Sequence, residues 1–109
     1  MKPEKELFWL AQLYRSPYTD DGWNLKFGKD GTKSDFIREF KVDMKNKDAL
    51  SFVNEMIKLG VIIPTINGSR GLSKSVQLYK IKGKLLIKYA NENKCFQIFK
   101  HLLDYDRII

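Results

Sequence analysis

Few residues of this chain have the types and spacing that catalysis needs. The single histidine, His101, lies among Phe and Leu residues. There it reads as a surface or partly buried side chain, not as a general base. One cysteine, Cys95, excludes both an intramolecular disulfide framework and a multi-cysteine zinc site. It reads as a small buried or interfacial hydrophobe. Asp20 and Asp21 precede Gly22, but the later oxygen ligands and the bidentate Glu of a calcium loop are missing. Gly68 and Gly71 are followed by no Gly-Lys-Ser or Gly-Lys-Thr, so no phosphate-binding P-loop is written. No catalytic residue, cofactor or metal site is expected, and the chain does not read as an enzyme.

What the sequence concentrates is positive charge. Its 109 residues hold 20 Lys or Arg against 13 Asp or Glu, a formal charge of +7. Only four of the cations are Arg, at positions 15, 38, 70 and 107. Between Glu55 and Glu92 there is no acid at all. That stretch carries Lys58, Arg70, Lys74, Lys80, Lys82, Lys84 and Lys88, the equal of the whole net charge. Displayed on one face, such a segment gives the positive potential expected of a nucleic-acid binder. The alternative is that the cations serve solubility alone. An apolar content of 43% is enough to bury a core in one domain. No apolar run approaches the ~20 residues of a membrane span. The charged opening Met-Lys-Pro-Glu-Lys-Glu is unlike a secretory signal. A soluble, cytoplasmic protein is expected.

The elements that must position these charges follow from periodicity. Leu7, Leu10, Ala11 and Tyr14 recur at helical spacing, with Phe8 and Leu13 beside them, so a helix spans about 3–15 and ends at Ser16-Pro17. Trp23, Leu25 and Phe27 alternate with Asn24 and Lys26 as a short strand. Thr32 or Ser34 caps a second helix over about 33–40, and Val42–Asn46 is a polar connection. The third helix, about 47–59, has an apolar stripe of Ala49, Leu50, Phe52, Val53, Met56 and Ile57. Lys47, Ser51, Asn54 and Lys58 lie opposite, and Gly60 ends the helix. Val61–Ile63 starts a strand that runs towards Ile66, with Pro64 fitting an edge. Asn67–Gly71 forms a loop tip, and Val76–Ile81 returns as the second strand of a hairpin. From Lys84 to about Leu103 the pattern is helical again, with Asn91–Asn93 as a point where it can divide.

This order resembles the winged helix-turn-helix domain. Thr32–Phe40 is similar to the first helix of the pair, and Lys47–Leu59 to the recognition helix. Met56-Ile57-Lys58-Leu59-Gly60-Val61-Ile62 resembles the sequence with which that helix runs into the wing. Gln77–Gly83 resembles the last strand of the wing. The connection at Val42–Asn46 is longer than the shortest turns of the family. The resemblance implies an α+β fold: a three-helix core, a small antiparallel sheet with a wing, and an additional C-terminal helix. It divides the chain into a winged-helix domain over 1–83 and a helical extension over 84–109 that packs on the same domain or dimerises.

The same resemblance implies a partner. A recognition helix fits the major groove, where its outward side chains reach base edges. Those are Lys47, Ser51, Asn54 and Lys58 here, with Lys45 and Asn46 at the helix start. Asn pairs bidentately with adenine, and Ser serves several bases. Ser69 and Arg70 at the wing tip enter an adjacent minor groove, and Lys74 holds phosphate. Lys33 and Ser34 open the second helix, where backbone N–H groups receive a phosphate. The implied function is sequence-specific binding of double-stranded DNA by a small transcriptional regulator of a prokaryote, plasmid or virus. The regulator would be a homodimer through its C-terminal helix. The rival reading is a winged-helix adaptor for protein partners in a replication or transcription assembly.

Overall fold

A computed structural model describes residues 3–21, 28–68 and 76–92. The strand expected at Trp23–Phe27, the loop residues 69–75 and all residues after Glu92 lie outside this description. The chain runs α1 (Pro3–Arg15), β1 (Thr19–Asp20), α2 (Lys33–Glu39), α3 (Lys47–Lys58), β2 (Ile62–Gly68), β3 (Val76–Lys82) and α4 (Gly83–Glu92). Among the described residues it is an α+β structure with four helices and a three-stranded sheet, an order compatible with a winged-helix-like layout.

Helix α1 buries Leu7, Trp9, Leu10, Ala11 and Leu13, whereas Phe8 faces solvent. It ends because its last turn finds side-chain partners. The Leu13 carbonyl accepts from the Ser16 N–H at 3.1 Å and from the Ser16 hydroxyl at 2.8 Å, and the Thr19 hydroxyl donates to the same oxygen. Helix α2 starts in a capping box: the Asp35 N–H donates to Thr32 Oγ1 at 3.2 Å, and the Thr32 N–H donates to Asp35 Oδ2 at 2.9 Å. Of the two expected caps, Thr32 is the one used.

The core is aromatic where the helices meet. Trp9 of α1 stacks on Phe40, just after α2, with centroids 5.1 Å apart and planes 18° off parallel. Phe52 of α3 closes on both, 5.5 Å from Trp9 and 5.8 Å from Phe40. A second set joins Tyr18 to Phe36 at 5.5 Å and Phe36 to Tyr79 of β3 at 6.4 Å. Helix α4 adds Leu86 and Ala90 to the same core cluster. Tyr89 fastens α4 to α1 through its hydroxyl, which donates to Glu6 Oε1 at 2.5 Å. Through Leu86, Ala90 and Tyr89, helix α4 thus packs on the core that the other helices build.

The sheet is mixed, not antiparallel throughout as expected. Strands β2 and β3 are antiparallel, but β1 runs parallel to β3, with Thr19 opposite Ile81 and Asp20 opposite Lys82. The cause is local: Thr19 is held to the end of α1 by its hydroxyl, and the Ile81 N–H donates to the Tyr18 carbonyl at 3.1 Å. Among the described residues β2 is an edge strand, so the missing N–H of Pro64 costs no ladder bond to a further strand there. Asn67 and Gly68, expected at the loop tip, still pair with Gln77 and Val76. The ladder shifts register between Pro64 and Asn67, which lets the strand continue past the proline.

Gly83 opens α4 in a tight place. A Cβ there would stand 2.7 Å from the Asp21 carbonyl oxygen and 2.8 Å from that of Asp20. Both obstacles are backbone, so they cannot rotate away. Gly83→Ala should cost about 1–3 kcal/mol, the usual range for overpacking, read as a lower urea midpoint at unchanged slope. A second effect is electrostatic. Burial, and then the neighbouring Asp35, raise the Glu39 carboxyl above its usual value of 4.5. Its ionised form therefore opposes folding, and that opposition sets in as pH rises above 4.5. Glu39→Gln should be more stable than the parent at neutral pH, with the two converging in acid.

Candidate nucleic-acid interface

Helix α3 is fixed at both ends by its own sequence. At the start, Asn46 is the N-cap: its Oδ1 accepts from the Ala49 N–H at 3.0 Å. Before it, the Lys45 N–H donates to Asp43 Oδ1 at 2.7 Å and the Asn46 N–H to the Asp43 carbonyl at 2.9 Å, which folds the connection into a turn. At the end, the Gly60 N–H donates to the Ile57 carbonyl at 3.1 Å and the Val61 N–H to the Met56 carbonyl at 3.0 Å. That pair is a Schellman motif, and Gly60 takes the left-handed φ of 81° that it requires.

With Ala49, Phe52, Val53 and Met56 turned into the core, the opposite face is decided. Lys47, Ser51, Asn54 and Lys58 are all exposed on it, as expected. Lys45 is exposed in the connection that leads to it. Leu50 corrects the expectation. Assigned by its spacing to the apolar stripe, it is 42% exposed. At about 3.6 residues per turn it lies on one flank of the polar face, and Asp48 and Glu55 lie on the other. Helix α3 itself is charge-balanced, with Lys47 and Lys58 against Asp48 and Glu55.

Other expected contacts have structural work. Asn46 is half-buried and its oxygen is committed to the cap. Ser34 is exposed, but Asp35 already places a carboxylate at the start of α2, where a phosphate was expected. The Arg38 guanidinium holds the other oxygen of Asp35 at 3.5 Å. Like charge disfavours a phosphate at that point. Lys33 is half-buried with its Nζ 6.0 Å from the Tyr79 ring centroid, a cation–π distance. Two cations of the acid-free segment are paired: Lys82 with Asp20 at 3.2 Å and Lys88 with Glu92 at 3.9 Å. Lys84 is exposed and Lys80 half-buried. Ser69, Arg70 and Lys74 lie outside the described residues, as do Cys95 and His101.

Among the described residues no group of three His, Cys, Asp or Glu side chains is placed to hold a metal ion. No described helix is long and apolar enough to cross a membrane. No family model, curated protein or solved structure matches the chain.

The cap makes a prediction separable from any binding role. Asn46→Ala should cost about 0.5–2 kcal/mol of stability. Asn46→Ser, which restores the cap acceptor, should recover most of it in the same denaturation measurement. Equal loss in both variants would remove the capping role.

Proposed function

We propose that this chain is a winged helix-turn-helix protein that binds double-stranded DNA sequence-specifically and regulates transcription as a homodimer through its C-terminal helix. The observation that carries this reading is the α3 surface: four side chains able to contact bases or phosphates, Lys47, Ser51, Asn54 and Lys58, exposed together on a helix whose other side is locked into the core. Helix α2 precedes it across the connection 40–46, and the β2–β3 hairpin follows it, the order in which a recognition helix and a wing are met. On this reading Lys47 and Lys58 hold phosphates, Ser51 and Asn54 meet base edges, and Lys45 steadies the entry. On the same reading Arg70 and Lys74 contribute positive charge, and Ser69 a hydroxyl able to contact DNA.

A second reading is favoured by a different observation. The neutral balance of α3, with Asp48, Glu55 and Leu50 exposed beside its polar side chains, also suits a protein partner of mixed chemistry. Salt separates the two. Duplex binding that neutralises 4–6 phosphates per subunit gives a log–log slope of roughly −4 to −5 per subunit. Lys47→Ala should make the slope shallower by about 1, and selection from random duplexes should return a palindrome if the homodimer is the binding unit. Absence of duplex binding at low salt, in a gel-shift titration, overturns the DNA reading in favour of the adaptor.

A further inference from the structure

On the face that carries Lys47, Ser51, Asn54 and Lys58, one flank is an exposed leucine. Leu50 is the fourth residue of α3 and one of the most exposed large apolar side chains described, at 42%. Removing it from the core face costs the helix an apolar contact that Ala49, Phe52, Val53 and Met56 all retain. Its neighbours on the surface are informative. Asn54 stands one turn on, at i+4, with Cβ atoms about 5–6 Å apart in such pairs. Ser51 adjoins it. The acids Asp48 and Glu55 are on the opposite flank, so a helix rolled towards Leu50 carries its carboxylates away from whatever it meets.

The major groove contains one apolar protrusion, the C5-methyl of thymine, and one edge that matches an Asn amide bidentately, the N6 and N7 of adenine. Successive base pairs rise about 3.4 Å, so an i, i+4 pair spans one to two steps. From this juxtaposition we infer that Leu50 reads a thymine methyl while Asn54 reads an adenine one or two base pairs away, giving the chain a half-site that favours an A·T pair at each of those positions. The inference rests on the DNA-binding reading above and deepens it: it names the class of sequence that the α3 face selects. Leu50 carries out readout through shape and desolvation alone. It forms no hydrogen bond, so its contribution depends on one methyl group of the DNA.

That dependence gives a test in which the DNA is varied before the protein. The full chain is first presented with random duplexes at low salt and the selected site recovered. Each thymine of that site is then replaced singly by uracil, which removes the methyl and leaves the pairing edge intact, and binding is measured by fluorescence anisotropy. One thymine per half-site should respond with binding about fourfold weaker, the worth of one desolvated methyl. Leu50→Ala should bind the thymine duplex about as weakly as the parent binds the uracil duplex, and should no longer distinguish the two. Asn54→Ala should keep the uracil response and lose the preference for adenine at the neighbouring position. If the chain binds duplex DNA but every uracil replacement is silent, or if Leu50→Ala retains the full uracil response, the inference is overturned and the DNA-binding reading stands. If no duplex is bound at low salt, both fall together. The uracil series uses the parent protein, so its outcome does not depend on how any variant folds.

Discussion

The contact of Trp9, Phe40 and Phe52 decides where everything else points. Each ring belongs to a different part of the helical layer: α1, the residue that ends α2, and α3. Offset and edge-on aromatic pairs add about 0.5–1.5 kcal/mol beyond their area, but orientation matters more here than energy. Three planar groups meeting at 5.1–5.8 Å leave α3 little freedom to rotate about its axis. Gln12 reinforces the same junction, since its Nε2 donates to the Glu39 carbonyl at 3.0 Å. Once Phe52 is committed, the helical repeat sends Ala49, Val53 and Met56 inward and leaves Lys47, Ser51, Asn54 and Lys58 outside. The candidate face is thus a consequence of the core, not an independent feature of the surface.

Charge obeys a different logic. The sequence concentrates its net charge after Glu55, yet a formal count overstates the free cations of that segment. Asp20, brought in by the parallel pairing of β1 with β3, meets Lys82. Glu92, one turn on, meets Lys88. Both pairs are substantially exposed and therefore weak, so they lower the local potential without locking the side chains. Helix α3 is neutral in itself. On the DNA-binding reading, Ser51 and Asn54 select among sequences while Lys47, Lys58 and cations outside the helix supply affinity, the usual division between base and phosphate contacts.

Much of this architecture was legible in the sequence because it is local. Helices α1, α2 and α3 fall within a residue or so of their expected spans, since Pro, Gly and capping residues punctuate a clear helical repeat. What escaped was decided by partners distant in sequence. Strand β1 has two residues and no alternation to announce it; it exists because Thr19 bonds to the end of α1 and faces Ile81. In α1 the periodicity placed Phe8 beside the core, whereas Trp9 is buried and Phe8 exposed. Adjacent aromatics differ by about 100° around a helix, and only the position of Phe40 settles which one turns inward. Leu50 is the same problem at the margin of the α3 stripe. A residue at the edge of an apolar arc is buried or bare according to how neighbouring elements cross it, and that crossing is not written in α3.

Asn46 and Asn54 show why residue type alone could not define the site. Both are asparagines on or beside the same helix, and both have an amide able to meet a base. Asn46 precedes the first turn, where the helix has N–H groups without intrahelical partners, so its oxygen is drawn to the Ala49 N–H. Asn54 sits two turns in, where every backbone N–H has a helical carbonyl, and its exposed amide meets no such demand. The helix therefore divides identical chemistry between holding itself together and facing outward, and it does so by position. A loss of binding on removing Asn46 reports on helix order as well as on contact. A loss on removing Asn54, in a helix that still has its cap and its Gly60 terminus, reports on the exposed face.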